Sequence, residues 1–186
     1  MDPVGINKYN VGRISERIVA NELEYRGFRV SDLNREGTSA NADLLAAKDG
    51  KTWQIQVKGA TEESGFWFGY GHCNEAIIAG TQSMFNHSSA SKFYKAEVVV
   101  LVSVKSPTEY SCIVLPVEIA ERAAQINLDR EYRTPKRSGD GARKPGKVWI
   151  SLDWTSRTAD DTRKTSIQNE VSLLKPYRDR WDLRNS

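Results

Sequence analysis

The chain has 186 residues, of which 39% are hydrophobic and 27% are charged, and this composition is typical of a single globular domain with a sizeable core. No run approaches the roughly 20 apolar residues of a membrane span, and the first residues lack the charged-then-apolar pattern of a secretory leader. Cys73 and Cys112 lack a metal or redox spacing, so we expect free thiols in a cytoplasmic protein. The net charge of +3 is too small to be more than a weak indication of a polyanionic partner.

The first predicted element is a helix from Val11 to Arg26, because apolar and small residues recur there at helical spacing. Gly27 should end this helix, since glycine adopts the left-handed conformation at little cost. Glu16 lies in the predicted buried stripe, so its carboxylate is expected to face the sheet rather than water. The stripe comprises Gly12, Glu16, Val19, Ala20 and Leu23.

A β-hairpin is predicted next, after a short strand at 28–30 and a polar connection at 34–41. Its arms are residues 42–47 and 52–58, and apolar and polar side chains alternate along the second arm. Asp49-Gly50 joins the arms, and this pair suits a type I′ turn, in which both central residues have positive φ.

The rest of the chain alternates between helical and extended patterns. Six elements are predicted there: helical turns at 74–85, a strand buried on both faces at 97–104, a neighbouring strand at 110–115, a helix from Pro116 to Ala124, a strand at 148–152, and a helical tail at 166–184 with Leu173, Leu174, Tyr177 and Trp181 as anchors.

Residues 66–70 include four aromatic side chains. Aromatic rings stack on bases in some nucleic-acid-binding proteins, but they pack beneath loops more often, and we expect packing here. His72 and Cys73 follow in the same loop. No second ligand pair completes a zinc site with them, so no metal is assigned to these two residues.

The segment 133–147 is rich in glycine and proline and carries one acidic residue, Asp140, against six basic ones. Charge runs are usually solvated surface. On a protein that binds nucleic acid, however, we expect such a loop to contact backbone phosphates without reading sequence. The basic residues are Arg133, Lys136, Arg137, Arg143, Lys144 and Lys147.

Three polar side chains converge across the predicted hairpin. Gln56 and Lys58 share one face of their strand, and a facing Asp43 on the other arm lies within about 5 Å. Carboxylate and amide oxygens suit Mg²⁺, and an ammonium group offsets the negative charge that develops on a phosphate under attack. The alternative interpretation is an exposed cross-strand ion pair worth roughly 0–1 kcal/mol. Glu22 is an alternative helix carboxylate, and Gln54 is interpreted as a plain polar strand position.

The order of a helix glutamate, Glu16, a strand aspartate, Asp43, and a strand Gln56-x-Lys58 resembles the PD-(D/E)XK nuclease superfamily of the restriction-endonuclease-like fold. Over about residues 11–60 it is similar in particular to Mrr-type restriction enzymes and to archaeal Holliday-junction resolvases. The resemblance implies an α/β fold, with a mixed central sheet flanked by helices in the order α-β-β-β-α-β. It also implies that Asp43 binds the metal, that Gln56 replaces the usual acidic residue, and that Lys58 and Glu16 are the family lysine and helix glutamate.

Two positions depart from that family pattern. Ala42 precedes Asp43 where the name-giving motif has proline. Gln56 is neutral where most members carry an acidic residue, which removes one negative charge from the metal site unless Glu16 compensates.

These observations predict a single domain over residues 1–186, with its core at about 11–104 and a C-terminal decoration that carries the basic loop. The predicted function is a divalent-metal-dependent endonuclease that hydrolyses phosphodiester bonds in DNA. Asp43, Gln56 and Glu16 would hold Mg²⁺ or Mn²⁺, and Lys58 would act on the water and the phosphate. A homodimer is expected by analogy alone.

Two alternative functions stay open. One is a catalytically degenerate member of the same fold that binds nucleic acid without cutting it, and the neutral Gln56 supports this. The other is a toxin or defence effector nuclease that acts on RNA.

Overall fold

A computed structural model describes residues 8–34, 42–61, 66–69, 96–106, 108–133, 147–150 and 161–183. The predicted helical turns at 74–85 lie outside these residues, as do His72, Cys73 and most of the predicted basic loop. Among the described helices, none has both the length and the apolar character needed to cross a bilayer.

The described elements form an α/β arrangement with a mixed five-stranded sheet of order β1-β2-β3-β5-β6 and a separate pair, β4-β7. In chain order they are α1 (Lys8–Tyr25), β1 (Arg29–Asp32), β2 (Leu44–Lys48), β3 (Lys51–Thr61), β4 (Phe66–Gly69), β5 (Val98–Ser106), β6 (Glu109–Pro116), α2 (Val117–Arg133), β7 (Lys147–Ile150) and α3 (Asp161–Leu174), which a 3₁₀ turn at Lys175–Tyr177 follows.

The predicted α/β class is therefore confirmed, and the chain order α-β-β-β is seen in α1 to β3. The pairing of β3 with β5 is parallel, whereas the other pairs of the large sheet are antiparallel. A parallel pair needs a crossover connection, and the predicted helical turns at 74–85, which lie between these two strands in sequence, are outside the described residues.

The β2–β3 hairpin has the predicted turn. Asp49 and Gly50 have φ values of 52° and 76°, so both central positions are in the left-handed region that a type I′ turn requires. The register pairs Lys48 with Lys51 and Leu44 with Ile55. Asp43, the residue before β2, donates its backbone N–H to the Ile55 carbonyl at 2.8 Å.

Helix α1 ends as predicted at Gly27, whose φ is +80°. The Gly27 and Phe28 N–H groups donate to the Glu24 and Leu23 carbonyls, which is the hydrogen-bond pattern of a Schellman motif. Lys48 also donates to the Arg26 carbonyl at 2.7 Å. These bonds fix the direction in which the chain enters β1.

The predicted stripe of α1 is wrong at its N-terminal end. Gly12 is exposed, whereas Val11 and Ser15 are buried together with Ile18, Val19 and Leu23. The reason is a close approach of the helix to β3, which the apolar pattern alone does not reveal. The helix also begins at Lys8, three residues before its predicted start at Val11.

That close approach depends on Gly59 of β3. A Cβ atom at this position would lie 2.9 Å from the Val11 carbonyl oxygen and 2.9 Å from the Ser15 Cβ. The Ser15 hydroxyl donates to the Val11 carbonyl at 2.8 Å, so the side chain that meets Gly59 is itself held by the helix. Any residue larger than glycine would therefore push α1 away from the sheet.

Strand β5 is buried on both faces, as the apolar run predicts. Val98, Val100 and Val102 join one core, which packs against α1. Val99 and Leu101 join a second core, which packs against α2. The second core also contains Phe66, which is 2% exposed, so the prediction of packing is confirmed for this aromatic residue.

Helix α2 differs from its prediction at both ends. Pro116 is the last residue of β6 rather than the first of the helix, and the helix runs to Arg133 rather than to Ala124. Its Ala120, Ala123 and Ala124 side chains are buried, and so is Asn127, which means that the buried face continues past the predicted end. The segment that begins at Arg133 therefore leaves from a helix.

The C-terminal tail covers the outer edge of β6. Asp179 donates its N–H to the Cys112 carbonyl at 2.9 Å and accepts from the Cys112 N–H at 3.1 Å. Cys112 is a buried free thiol, and burial followed by the charge of Asp179 raises its pKa to about 12. Of the predicted anchors, Leu174 and Trp181 are buried, and Leu173 and Tyr177 are partly buried.

Replacing Gly59 tests the helix–sheet contact. Gly59→Ala should lower the free energy of unfolding by about 1–3 kcal/mol, because the added methyl group meets helix backbone and a short side chain that cannot move aside. Gly12→Ala is the control: no atom lies within 4 Å of its Cβ, and alanine favours the helix by about 0.5–1 kcal/mol. Urea unfolding curves measure both, and a Gly59→Ala variant as stable as the parent would contradict the close approach.

Candidate active site

The candidate site lies beside the first residue of β2, where the pairing of β2 with β3 ends and β3 continues alone on that side. The backbone ladder between these strands ends at Leu44–Ile55, while β3 runs on to Thr61 with β5 paired along its other edge. Asp43 stands at this point, and its Oδ2 accepts a hydrogen bond from the Val57 N–H at 2.7 Å. A side-chain carboxylate thus takes the place of the backbone carbonyl that would otherwise continue the ladder.

Gln56 lies opposite Asp43, where the hairpin register places it. Its Nε2 donates to the same Oδ2 of Asp43 at 2.7 Å. Gln56 is 7% exposed, which is unusual for a glutamine. Two donors, one from the backbone and one from a side chain, therefore fix the orientation of the Asp43 carboxylate.

Glu16 reaches this site through Asn34. The Asn34 Nδ2 donates to Asp43 Oδ1 at 3.2 Å and to Glu16 Oε1 at 3.4 Å. Glu16 is half-buried and follows Ser15, the residue that packs on Gly59. The predicted inward orientation of Glu16 agrees with this geometry, although its path to Asp43 runs through an amide that the sequence did not point to.

The electrostatic field at Glu16 is dominated by negative charge. Burial, and then the charges of Asp43 and Asp32, raise the pKa of Glu16 above its ordinary value. The hydrogen bond from Asn34 and the ammonium group of Lys58 offset part of this shift. Lys58 is half-buried on the same strand as Gln56, and its charge acts on Glu16.

Glu22, the alternative helix carboxylate, is engaged elsewhere. It pairs with Arg26 and accepts the Tyr110 hydroxyl at 2.7 Å. Burial opposes ionisation, but the hydrogen bonds from Tyr110 and Arg26 hold the pKa of Glu22 below its ordinary value. Glu22 thus links α1 to β6.

Gln54 is exposed, and its backbone joins β3 to Glu97. Its N–H donates to Glu97 Oε2 at 3.0 Å, and its carbonyl accepts from the Glu97 N–H at 2.9 Å. This agrees with the interpretation of Gln54 as a strand position without a role in the site.

The sequence reasoning missed Asn34 and Asp32. The Asn34 N–H donates to Asp32 Oδ1 at 3.1 Å, and the Leu33 N–H donates to the Asp43 carbonyl at 3.0 Å. Asp-x-Asn after a strand is a local signal for such a turn, because these side chains bond to nearby backbone groups. The contact with Asp43 was not readable, since it depends on the pairing of β1 with β2.

The predicted nucleic-acid-binding residues fall largely outside the described chain. Lys136, Arg137, Arg143 and Lys144 are not described. Arg133 is the last residue of α2 and Lys147 the first of β7, and only their backbone positions are described. The expectation that this segment contacts phosphates stays a prediction.

The oxygen-bearing side chains at this site suit a hard divalent cation that takes only one or two ligands from the protein. Within residues 8–34, 42–61 and the other described ranges, no three His, Cys, Asp or Glu side chains form a ready ligand group. The donors present are two carboxylates, Asp43 and Glu16, with the Asn34 and Gln56 amides beside them. Mg²⁺ keeps several waters and binds through one or two carboxylates, so this set fits Mg²⁺ or Mn²⁺.

No protein-family model matches the sequence, and no curated protein matches it. Among solved structures, the chain is similar to a bacterial homing endonuclease, I-Ssp6803I, with 11% sequence identity and a TM-score of 0.44. The superposition covers 96% of this chain and 93% of that one. At this TM-score the likeness assigns neither a family nor an activity to the chain.

The raised pKa of Glu16 predicts that the site costs stability. A carboxyl group whose pKa is higher in the folded state stabilises the fold only while protonated, so the protein loses stability as the pH rises above about 4.5. Glu16→Gln should therefore raise the free energy of unfolding at pH 7, by less than about 1 kcal/mol because the group is partly solvated.

The gain from Glu16→Gln should vanish as the pH falls below 4.5, the ordinary value for glutamate. Glu24→Gln, on the exposed side of α1, is the matched control and should change little. Chemical unfolding at a series of pH values measures both variants. A Glu16→Gln protein that is less stable than the parent at pH 7 would show that Glu16 is not held among negative charges.

Proposed function

We propose that this chain is a divalent-metal-dependent endonuclease that hydrolyses phosphodiester bonds in DNA, with the active-site arrangement of the PD-(D/E)XK superfamily. One observation carries the proposal: the Asp43 carboxylate sits at the divergence of β2 and β3, hydrogen-bonded to Gln56 and bridged to Glu16. Carboxylates gathered in this way, beside a lysine, match the chemistry inferred from the sequence.

Asp43 and Glu16 would hold the cation. Bound there, Mg²⁺ or Mn²⁺ supplies positive charge to the phosphate and lowers the pKa of a water ligand. Gln56 carries both a nitrogen and an oxygen on its amide, so a half-turn of that group exchanges donation to Asp43 for an oxygen ligand. The Val57 N–H keeps Asp43 oriented in either case.

Lys58 follows on β3 and shares a face with Gln56. Its ammonium group already acts on the charge of Glu16. In the proposed reaction a water oxygen forms a bond to phosphorus as the bond from phosphorus to a deoxyribose oxygen breaks. The water gives up one proton to solvent, and the leaving oxygen takes up one proton to become a hydroxyl group. Lys58 would orient the attacking water and offset the negative charge that accumulates on the phosphate oxygens.

A second function has a specific observation in its favour. Gln56 is neutral, and in the structure its amide nitrogen rather than its oxygen meets Asp43. A chain that binds nucleic acid but does not cut it would tolerate this arrangement. Gln56→Glu separates the two functions, since it restores the usual family charge and should create cleavage in a degenerate site.

Cleavage assays with paired variants test the active site. Asp43→Ala and Lys58→Ala should each reduce metal-dependent nicking of supercoiled DNA by at least about 100-fold. The first removes a ligand of the cation, and the second removes the positive charge beside the scissile phosphate. Glu24→Ala and Lys51→Ala, on exposed positions of α1 and at the turn end of β3, should retain activity. Circular dichroism checks the fold of each variant.

Cleavage that survives both Asp43→Ala and Lys58→Ala would remove the site assignment. A parent protein that binds DNA without cutting it, in Mg²⁺ and in Mn²⁺, would instead favour the degenerate function.

Contact with the nucleic-acid backbone is proposed for two regions. The first is the basic segment at 133–147. The second is the exposed side of α1, where Arg13 and Arg17 lie four residues apart and thus on one face of the helix that carries Glu16. Within the described ranges neither arginine forms an ion pair, so both guanidinium groups are available to phosphates.

Salt dependence of DNA binding tests these contacts. DNA binding is measured in Ca²⁺ as log K against log salt. The magnitude of the slope should fall by up to about 2 in Arg13→Gln/Arg17→Gln. It should fall by up to about 5 when the six basic residues of 133–147 are neutralised. Arg122→Gln/Arg180→Gln, exposed positions on α2 and in the C-terminal tail, is the matched control. An unchanged slope in either test variant would exclude that region from the interface.

A further inference from the structure

We propose that Asn34 is a positioning residue of the site, which holds the Glu16 and Asp43 carboxylates at a fixed separation through one bridging amide. This inference rests on the proposed function only in taking a divalent cation as the ligand of the two carboxylates. Its geometric basis is independent of that function, because the hydrogen bonds join side chains of this chain alone.

The Asn34 side chain joins two segments that are distant in sequence. Its Nδ2 lies 3.2 Å from Asp43 Oδ1 and 3.4 Å from Glu16 Oε1. A side-chain amide carries two N–H groups, so one amide can serve one oxygen of each carboxylate. The bridge connects α1 to the start of β2 directly above the Asp43–Gln56 pair.

The backbone of Asn34 is held by hydrogen bonds separate from those of its side chain. The Asn34 N–H is bound to Asp32 Oδ1 at 3.1 Å, and the neighbouring Leu33 N–H is bound to the Asp43 carbonyl at 3.0 Å. The turn after β1 is therefore attached to Asp43 by its backbone as well as by the Asn34 side chain. Such an anchored donor sets where the two carboxylates lie instead of following them.

An amide suits this role better than the other polar side chains. Two carboxylates repel each other, and the proximity of Asp43 is one reason why Glu16 resists ionisation. A lysine or arginine would pair with both but would compete with a cation for them, and an aspartate would add a third negative charge. A neutral donor draws the carboxylates together and leaves their charge for a metal ion.

The bridge is tested first without metal. In ¹H–¹⁵N spectra, Glu16→Ala and Asp43→Ala should each shift the side-chain amide resonances of Asn34, because each removes one of its acceptors. The side-chain amide of Asn21, exposed on α1, serves as the internal control and should not move. Resonances of Asn34 that are the same in the parent and in both variants would overturn the proposal.

The consequence for metal binding is tested by calorimetry with Mn²⁺. Asn34→Ala should weaken Mn²⁺ binding by about 10–100-fold, the usual effect of removing a hydrogen-bond partner of a metal ligand. Asn34→Ser, which keeps a short donor and the backbone turn, should lose less, and Asn21→Ala should bind as the parent does. The losses from Asn34→Ala and Glu16→Ala should combine less than additively, since both break the same bridge.

These outcomes separate the two proposals. A parent protein that binds Mn²⁺ and an Asn34→Ala variant that binds it within about threefold would overturn the positioning role and leave the proposed function standing. A parent protein that binds no Mn²⁺ at millimolar concentration would count against the proposed function, and the amide shifts would then decide the role of Asn34 by themselves.

Discussion

The contact between α1 and Gly59 of β3 is the constraint on which the site depends. With no side chain at Gly59, Val11 and Ser15 reach the strand, and the next residue, Glu16, lies near the point where β2 begins. A helix raised by even one methyl group would withdraw the Glu16 carboxylate from Asn34 and Asp43. The close packing of α1 on Gly59 thus decides whether the Glu16 and Asp43 carboxylates lie near each other.

The second requirement is an interruption of the sheet. A regular ladder would satisfy the Val57 N–H with a carbonyl of the neighbouring strand, and no polar side chain would be needed there. Here Asp43 supplies the acceptor, so the pairing of β2 with β3 stops at Leu44–Ile55, and beyond that point β3 carries the buried Gln56 and the half-buried Lys58. The same carboxylate is therefore part of the fold and part of the candidate site.

These features also explain the energetic character of the site. Asp43, Asp32 and Glu16 lie near one another, and burial together with this like charge raises the pKa of Glu16. Groups arranged for function often oppose stability in this way. The Asn34 bridge and the Lys58 ammonium reduce the repulsion without removing it, which leaves a negative potential suited to a cation.

The hairpin part of the site could be predicted from sequence because its information is local. Asp49-Gly50 fixes the turn type, the turn type fixes the register, and the register places Asp43 across from Gln56. The buried strand β5 was readable for a similar reason, since an unbroken apolar run suits a strand covered on both faces.

The remaining features are tertiary and left no such local signal. Asn34 meets Asp43 only because β1 pairs with β2, and Gly59 matters only because a helix crosses it. The buried stripe of α1 was misplaced at Gly12 for the same reason. Strands β4 and β7 pair although they are far apart in sequence, and hydrophobic periodicity does not predict which strands pair.

Anomalous diffraction from crystals soaked in Mn²⁺ locates the cation directly. We expect a peak about 2.1 Å from a carboxylate oxygen of Asp43, with Glu16 as the second protein ligand and no such peak in Asp43→Ala crystals. A Mn²⁺ ion bound elsewhere in a protein that cleaves DNA, with the space between Asp43 and Glu16 left to water, would contradict it.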